Sequence, residues 1–197
     1  MRNILIGFVS VLCMLQATAQ HKTIGPTVGL NNSWISETTN GKSKIGFNAG
    51  IAFLYSIKEN YGVGIDAIYS KEGNKFDPDG TNSLDYLRLP VRAYYFFGEL
   101  GDKFRPKLFI GISPAFLIGG NLKQGNIESK SKDFIKGFDL GLNVGTGVNV
   151  RVKEATWLKL DLAYTHGLTK IDKINTSIKS KNQNINFNIG IGFPIGG

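Results

Sequence analysis

Between Phe138 and Val150 apolar and polar side chains alternate. Phe138, Leu140, Leu142, Val144, Val148 and Val150 share one parity, and Asp139, Gly141, Asn143, Gly145, Gly147 and Asn149 share the other. In an extended strand these two sets face opposite sides. The aliphatic face is broad, whereas the glycine and asparagine face is too small and polar to form a core. Lipid on the first side and a polar interior on the second account for both. The run of 13 residues exceeds the usual soluble strand of about 5 to 6 and covers the roughly 9 to 11 that a tilted membrane-spanning strand needs.

The same alternation, followed along the chain, predicts eight strands. The first covers about residues 23–32, with Ile24, Val28 and Leu30 outward. The second, about 45–57, sends out Phe47, Ala49, Ile51, Phe53 and Tyr55, and the third, about 60–71, sends out Tyr61, Val63, Ile65, Ala67 and Tyr69. The fourth, about 84–97, opposes outward Leu87, Leu89, Val91, Ala93, Tyr95 and Phe97 to inward Arg88, Arg92 and Tyr94. The fifth, about 107–119, carries Pro114 on its outward parity, a position that suggests a bulge or kink. The run from Phe138 is the sixth, residues 156–167 are the seventh, and Ile185 to Phe193 alternate with asparagine and glycine in the eighth. Phe47 and Tyr55, like Tyr61 and Tyr69, are eight residues apart, roughly 20 Å along the membrane normal for a tilted strand. That approaches the ~25 Å between aromatic girdles. Links after strands two, four and six read as short or moderate, and those after one, three, five and seven as about a dozen residues or more. Short turns belong to the periplasmic side and long loops to the outside. The expected fold is therefore all-β, an eight-stranded antiparallel up-and-down transmembrane β-barrel.

The N-terminus supplies an address. Arg2 precedes an apolar run from Ile4 to Leu15, and Ala17-Thr18-Ala19 offers the small-x-small site of a cleaved leader. The run is short of the roughly 18 to 20 residues of a spanning helix. Residues 1–19 are thus expected to be a signal peptide and 20–197 the barrel domain. Cys13 falls within the leader, and Val11-Leu12 before it are not the small residues of a lipoprotein signal. The mature chain then has no thiol for a disulfide, metal or nucleophile. Cationic residues outnumber acidic ones by eight, and by seven without Arg2.

Several segments resemble the PorT-like outer-membrane β-barrel proteins, often labelled porin family: Val28-Gly29-Leu30-Asn31, Tyr86-Leu87-Arg88-Leu89-Pro90-Val91, Phe138-Asp139-Leu140-Gly141-Leu142-Asn143 with Gly145-Thr146-Gly147-Val148, and Tyr164-Thr165-His166-Gly167-Leu168-Thr169-Lys170-Ile171. The resemblance covers the mature chain. It implies a small outer-membrane barrel, and through PorT itself a place in an envelope or secretion complex, the type IX apparatus. Many outer-membrane proteins end on an aromatic residue read by the barrel-assembly machinery, the partner expected during biogenesis. Here Phe193 is followed by Pro194-Ile195-Gly196-Gly197, a departure from that ending.

Eight strands leave an interior just wide enough for side chains to fill, whereas a diffusion pore needs about 16. By parity Asp66, Arg88, Arg92, Asp139, Asn143, Lys159 and Asp161 point inward, three acids and three bases with an asparagine among them. Buried charges must pair or cost several kcal/mol each, so the balance predicts a salt-bridged plug, with a narrow ion path as the rival. In the last long loop Lys170, Lys173, Lys179 and Lys181 are opposed only by Asp172, an array suited to outer-membrane lipid and the phosphates of lipopolysaccharide. Nucleic acid is the other partner of basic proteins, but no nucleic-acid fold signature is present. No cofactor or metal is expected. Asp77-Pro78-Asp79-Gly80 lacks the oxygen-ligand spacing of an EF-hand and reads as a turn. His166 has no nucleophile context such as Gly-x-Ser-x-Gly, so no enzyme activity is expected. A soluble periplasmic lipocalin-like binder would carry large apolar side chains inside and charges along the strands, the reverse of this pattern.

Overall fold

The computed structural model describes residues 21–36, 41–76, 79–153, 156–173 and 180–195. The expected leader, with Cys13, lies outside them, as do Asp77, Pro78 and Lys179. The strands are β1 (His21–Ile35), β2 (Gly41–Ser56), β3 (Tyr61–Phe76), β4 (Gly80–Arg88), β5 (Val91–Phe96), β6 (Phe104–Gly119), β7 (Asn121–Gln124), β8 (Ile127–Lys130), β9 (Phe138–Lys153), β10 (Thr156–Gly167) and β11 (Asn182–Pro194). All pairings are antiparallel. Neighbours in sequence pair around a ring, β4 and β5 together occupy one position between β3 and β6, and β1 closes against β11. Eight strand positions thus make a closed barrel, which removes the unpaired sheet edges that a bilayer would not tolerate. Among the described residues no helix is long and apolar enough to cross a membrane.

The fourth expected strand is interrupted at Leu89–Pro90 and not, as Pro114 suggested, in the fifth. Proline has no N–H to give a ladder. The gap is spanned by Leu89 N donating to Pro114 O at 2.8 Å and Asp66 N donating to Pro90 O at 3.1 Å. Pro114 itself keeps regular register against Leu140, and the irregularity of β6 falls later, where Asp85 pairs with Gly119 but Tyr86 with Leu117.

Two of the four expected long loops are mostly strand. Only residues 36–40 separate β1 from β2, and 77–79 separate β3 from β4. Their polar sequences do not stop the strands, because outside the bilayer a strand needs only its ladder and satisfied side chains. Ser33 supplies one such tie, its hydroxyl both donating to Gly73 O and accepting from Gly73 N at 2.9 Å. The segment 121–130 folds as a projecting hairpin, β7 pairing with β4, and Gly125 takes φ +57° at its tip. A positive φ at the first turn position is one that glycine reaches without a Cβ penalty.

The outer surface is apolar throughout the ring. Leu30, Ile51, Ile110, Leu162 and Phe187 are exposed, each at 48–61%, as lipid-facing positions should be. Aromatic side chains gather at two levels. Phe47 packs on Tyr69 at 5.6 Å and Phe116 on Phe138 at 5.6 Å toward the loop end, while Tyr61 packs on Tyr95 at 5.3 Å and Tyr95 on Phe97 at 5.0 Å toward the end carrying the described chain ends. The two longest links, 120–137 and 168–181, leave from the first end, which marks the second as periplasmic.

Candidate functional site in the barrel lumen

The inward parity of the strands assembles a polar interior with two apolar clusters, one closing its extracellular mouth and one set among its lower charges. At the extracellular mouth Leu84, Tyr86, Ala115 and Leu117 of the wall bury Ile135 and Ile171 of the loops. The two loops hold each other through Lys136 N donating to Ile171 O at 2.7 Å and Lys173 N donating to Phe134 O at 2.9 Å. Ser131, in a single 3-10 turn at 131–133, donates to Ser83 O at 2.9 Å and fastens this cover to β4. Toward the periplasm Leu54, Tyr94, Phe96, Phe109 and Ala163 form the second cluster. Glycines on the facing wall give the rings their space: a Cβ at Gly64 would lie 3.0 Å from the Tyr94 ring, and one at Gly145 would enter the Phe109 ring. Below it the Arg105 guanidinium lies 4.6 Å over the Phe96 ring and 5.9 Å from Trp157, and donates to Glu59 O.

The charges form two groups, an upper one beneath the extracellular plug and a lower one interleaved with the second apolar cluster, whose Leu54 and Tyr94 share a cavity lining with Asp66, Lys107 and Lys159. In the upper layer Arg88 forks onto Glu72, Nε to Oε1 at 2.5 Å and Nη2 to Oε2 at 2.7 Å, and reaches Asp139 Oδ2 at 3.2 Å. Glu72 also accepts from Ser70 and from Asn182, and Asp139 accepts from Thr169 of the last long loop at 3.0 Å. A carboxylate taken from water requires this many donors to offset its lost hydration. In the lower layer Arg92 Nη1 meets Asp66 Oδ2 at 2.8 Å, its Nε donates to Asn143 Oδ1 at 2.8 Å, and Asn143 donates onward to Thr165 at 2.9 Å. Lys107 pairs with Asp161 at 2.6 Å, and Lys159 donates to the Thr23 hydroxyl at 3.2 Å.

All seven residues singled out from inward parity therefore line this interior, but their partners were incompletely assigned. Glu72 is fully buried and Lys107 is 1% exposed, and neither was among the seven. Both have inward parity: Glu72 sits one step beyond the expected end of the third strand, and Lys107 at the expected start of the fifth. Carrying the alternation past Lys71 would have found the carboxylate that binds Arg88. Small cavities remain among the described side chains, one of about 20 Å³ beside Asp66, Lys107 and Lys159 and another of about 20 Å³ beside Ser70, Arg88 and Asn143, with Arg92 and Asn188 lining both. Each has room for about one water molecule.

The loop lysines are scattered over the outer end. Lys170 and Lys173 are exposed and Lys181 is half-buried; Lys179 lies outside the described residues. Lys123 pairs with Glu128 on the hairpin at 3.3 Å. His166 lies at the outer rim, its Nδ1 3.2 Å from the Tyr164 hydroxyl, which donates to Gln183 at 2.8 Å while the Tyr164 ring stacks on Trp34 at 6.2 Å. Among the described residues no group of three metal-ligating side chains comes together.

A family model described as outer membrane protein beta-barrel domain matches residues 18–173. Among solved structures, the outer membrane protein OprG from Pseudomonas aeruginosa is similar with a TM-score of 0.63 and 14% identity, over 93% of this chain and 99% of that one. Neisserial surface protein A is similar with a TM-score of 0.58 and 17% identity, over 87% and 97%. The outer membrane enzyme PagL is similar with a TM-score of 0.52 and 14% identity, over 86% and 99%. At such identities the likeness is one of fold. No curated protein sequence matches the chain.

Proposed function

The chain belongs to the outer membrane protein beta-barrel domain family and is an outer-membrane protein, and from that premise we propose that it works as a closed, non-enzymatic anchor that presents its extracellular hairpin and loops to an envelope partner. The observation that carries this reading is the lumen: salt-bridged side chains and packed aromatic rings fill it, and an apolar cluster covers its extracellular mouth. An ion entering from outside would shed its water against Leu84, Tyr86 and Ile171, whose side chains offer no replacement for its hydration. Planar-bilayer recording of the purified barrel is expected to give no steady conductance. A steady conductance that changes in an Arg92→Ala variant would overturn the closed-anchor reading in favour of a narrow channel.

The finer reading is a PorT-like role, in which residues 1–19 direct export and the loops serve a secretion or envelope complex. The exposed cations support contact with lipopolysaccharide, since Lys170 and Lys173 project from the same end as Lys123, Lys130 and Lys132. Charge reversal of Lys170, Lys173, Lys179 and Lys181 to glutamate is expected to lower lipopolysaccharide co-purification severalfold at low ionic strength, where exposed charges act furthest. Unchanged co-purification would remove the glycolipid from the proposal.

The catalytic alternative has little to build on. PagL shows that this fold can carry an enzyme, yet here the outer-rim histidine meets Tyr164 and pairs across the strands with Gln183, with neither a nucleophilic serine nor a carboxylate beside it among its described contacts. A histidine so placed lacks the nucleophile and orienting acid of a hydrolytic triad.

A further inference from the structure

The outer wall of β2, β3 and β4 gathers cations just above the girdle formed by Phe47 and Tyr69. Between the pairs Asn48 with Ser70 and Ser43 with Asn74, β2 holds one residue more than β3, which is a β-bulge. On one side of it Phe47 keeps the outward parity, and on the other Lys42 comes to lie directly across from Lys75, which shares the outward side with Tyr69. Like charges set opposite one another in a ladder repel. Lys44, inside the bulge, donates to Ser83 Oγ at 2.7 Å and to Glu72 O at 3.1 Å. Lys71 and Lys75 are repelling neighbours of its ammonium and Asp85 an attracting one. Asp85 does not neutralise the group. It accepts from the Tyr69 hydroxyl at 2.9 Å, and Lys44, Lys71 and Lys75 form no ion pair with any described carboxylate.

We propose that this wall seats lipopolysaccharide, with the phosphates on its sugars held by Lys44 and Lys71 at one level and by Lys42 and Lys75 at a second, outer one. Lys71 lies two residues and Lys75 six residues beyond Tyr69, roughly 5 Å and 15 Å further out along the membrane normal for a tilted strand. The inner level falls within the headgroup layer, which adds about 5 to 7 Å to each side of the hydrocarbon. A glycerophospholipid has its phosphate at that level and nothing to offer the outer one, whereas a phosphorylated glycolipid carries anions further out on its sugars. That difference selects the lipid. The bulge supplies the geometry, because a regular ladder would turn Lys42 to the other face. Phosphate between the lysines replaces their mutual repulsion with charge-assisted hydrogen bonds. The inference rests on the glycolipid contact proposed above and deepens it, placing the seat on the wall of β2, β3 and β4 and not on the last long loop.

The test is titration of the folded, detergent-solubilised full chain with purified lipopolysaccharide at low ionic strength. A lysine near an anionic lipid surface contributes about fivefold in affinity, so Lys71→Gln combined with Lys75→Gln should weaken binding by roughly 10- to 30-fold while the barrel remains heat-modifiable on gels. Lys123→Gln, which removes a lysine already paired with Glu128, should bind as the parent does. Dephosphorylated lipopolysaccharide should bind the parent about as weakly as the intact glycolipid binds the double variant, and phosphatidylglycerol should not compete. Unchanged affinity in the double variant, undiminished binding of the dephosphorylated glycolipid, or equal competition by phosphatidylglycerol would each overturn the seat. The charge-reversed variant of Lys170, Lys173, Lys179 and Lys181 separates the two readings. If it loses binding while the double variant binds normally, the wall seat falls and the glycolipid contact stands; if both bind normally, both fall.

Discussion

Replacing Glu72 by alanine is expected to destabilise the barrel by about 3 to 5 kcal/mol, the cost of leaving a buried charge without its partner. Glu72 is fully buried and takes both arms of the Arg88 fork together with Ser70 and Asn182. Its removal leaves Arg88 with Asp139 alone, at the longer distance of 3.2 Å. The measurement is the urea midpoint of the folded protein in lipid vesicles. Two further variants give the result its meaning. Glu72→Met combined with Arg88→Met should recover most of the loss, because removing both charges avoids the desolvation that the lone guanidinium suffers. Lys123→Ala, which breaks a pair exposed at 61% and 49%, should cost no more than about 1 kcal/mol. If Glu72→Ala and the double variant were equally unstable, the contribution of Glu72 would be packing and not charge compensation.

On the opposite side of the wall, Ile110→Lys should cost about 2 to 4 kcal/mol, the penalty for a cation at the lipid-facing midplane of a barrel. Ile110 is 55% exposed and lies midway along β6 between Phe104 and Phe116, so its exposure is to hydrocarbon. Ile127 is exposed even further, at 71%, but on the extracellular hairpin. Ile127→Lys should therefore stay within about 0.5 kcal/mol of the parent. The ratio of folded to unfolded bands on gels, with the unfolding midpoint beside it, reads both. Equal tolerance of the two lysines would mean that the band around Ile110 does not face lipid.

Much of this architecture was written in the alternation of the chain, and the exceptions have physical reasons. The seventh expected strand and β10 share the bounds 156–167 because both ends coincide with a change of pattern. β3 runs on to Phe76 where the apolar parity ends near Tyr69, since beyond the girdle no hydrocarbon demands apolar side chains and the strand is held by its ladder. Pattern therefore measured the membrane-embedded part of each strand and underestimated the strand itself. The same limit hid Glu72. The apolar clusters were hidden differently, because Leu84, Tyr86, Phe96 and Phe109 are inward apolar residues and only the packing of Ile135 and Ile171 from distant loops explains why such side chains as Leu84 and Tyr86 belong in a polar lumen. The pairing of particular charges, Arg92 with Asp66 or Lys107 with Asp161, depends on register between strands that alternation does not specify.

The seam between β1 and β11 has a kinetic meaning. It joins residues as far apart as Thr23 and Pro194, so its formation must wait for almost the whole chain and carries the largest loop-closure cost among the strand pairings. The seam is also incomplete: the register runs from Ile24 with Phe193 directly to Thr27 with Gly190, with Pro26 between them unable to donate. The last junction to zip is thus the one with a missing rung, and the same junction is where the ring should first part during unfolding, its amides exchanging with solvent ahead of those between β6 and β9.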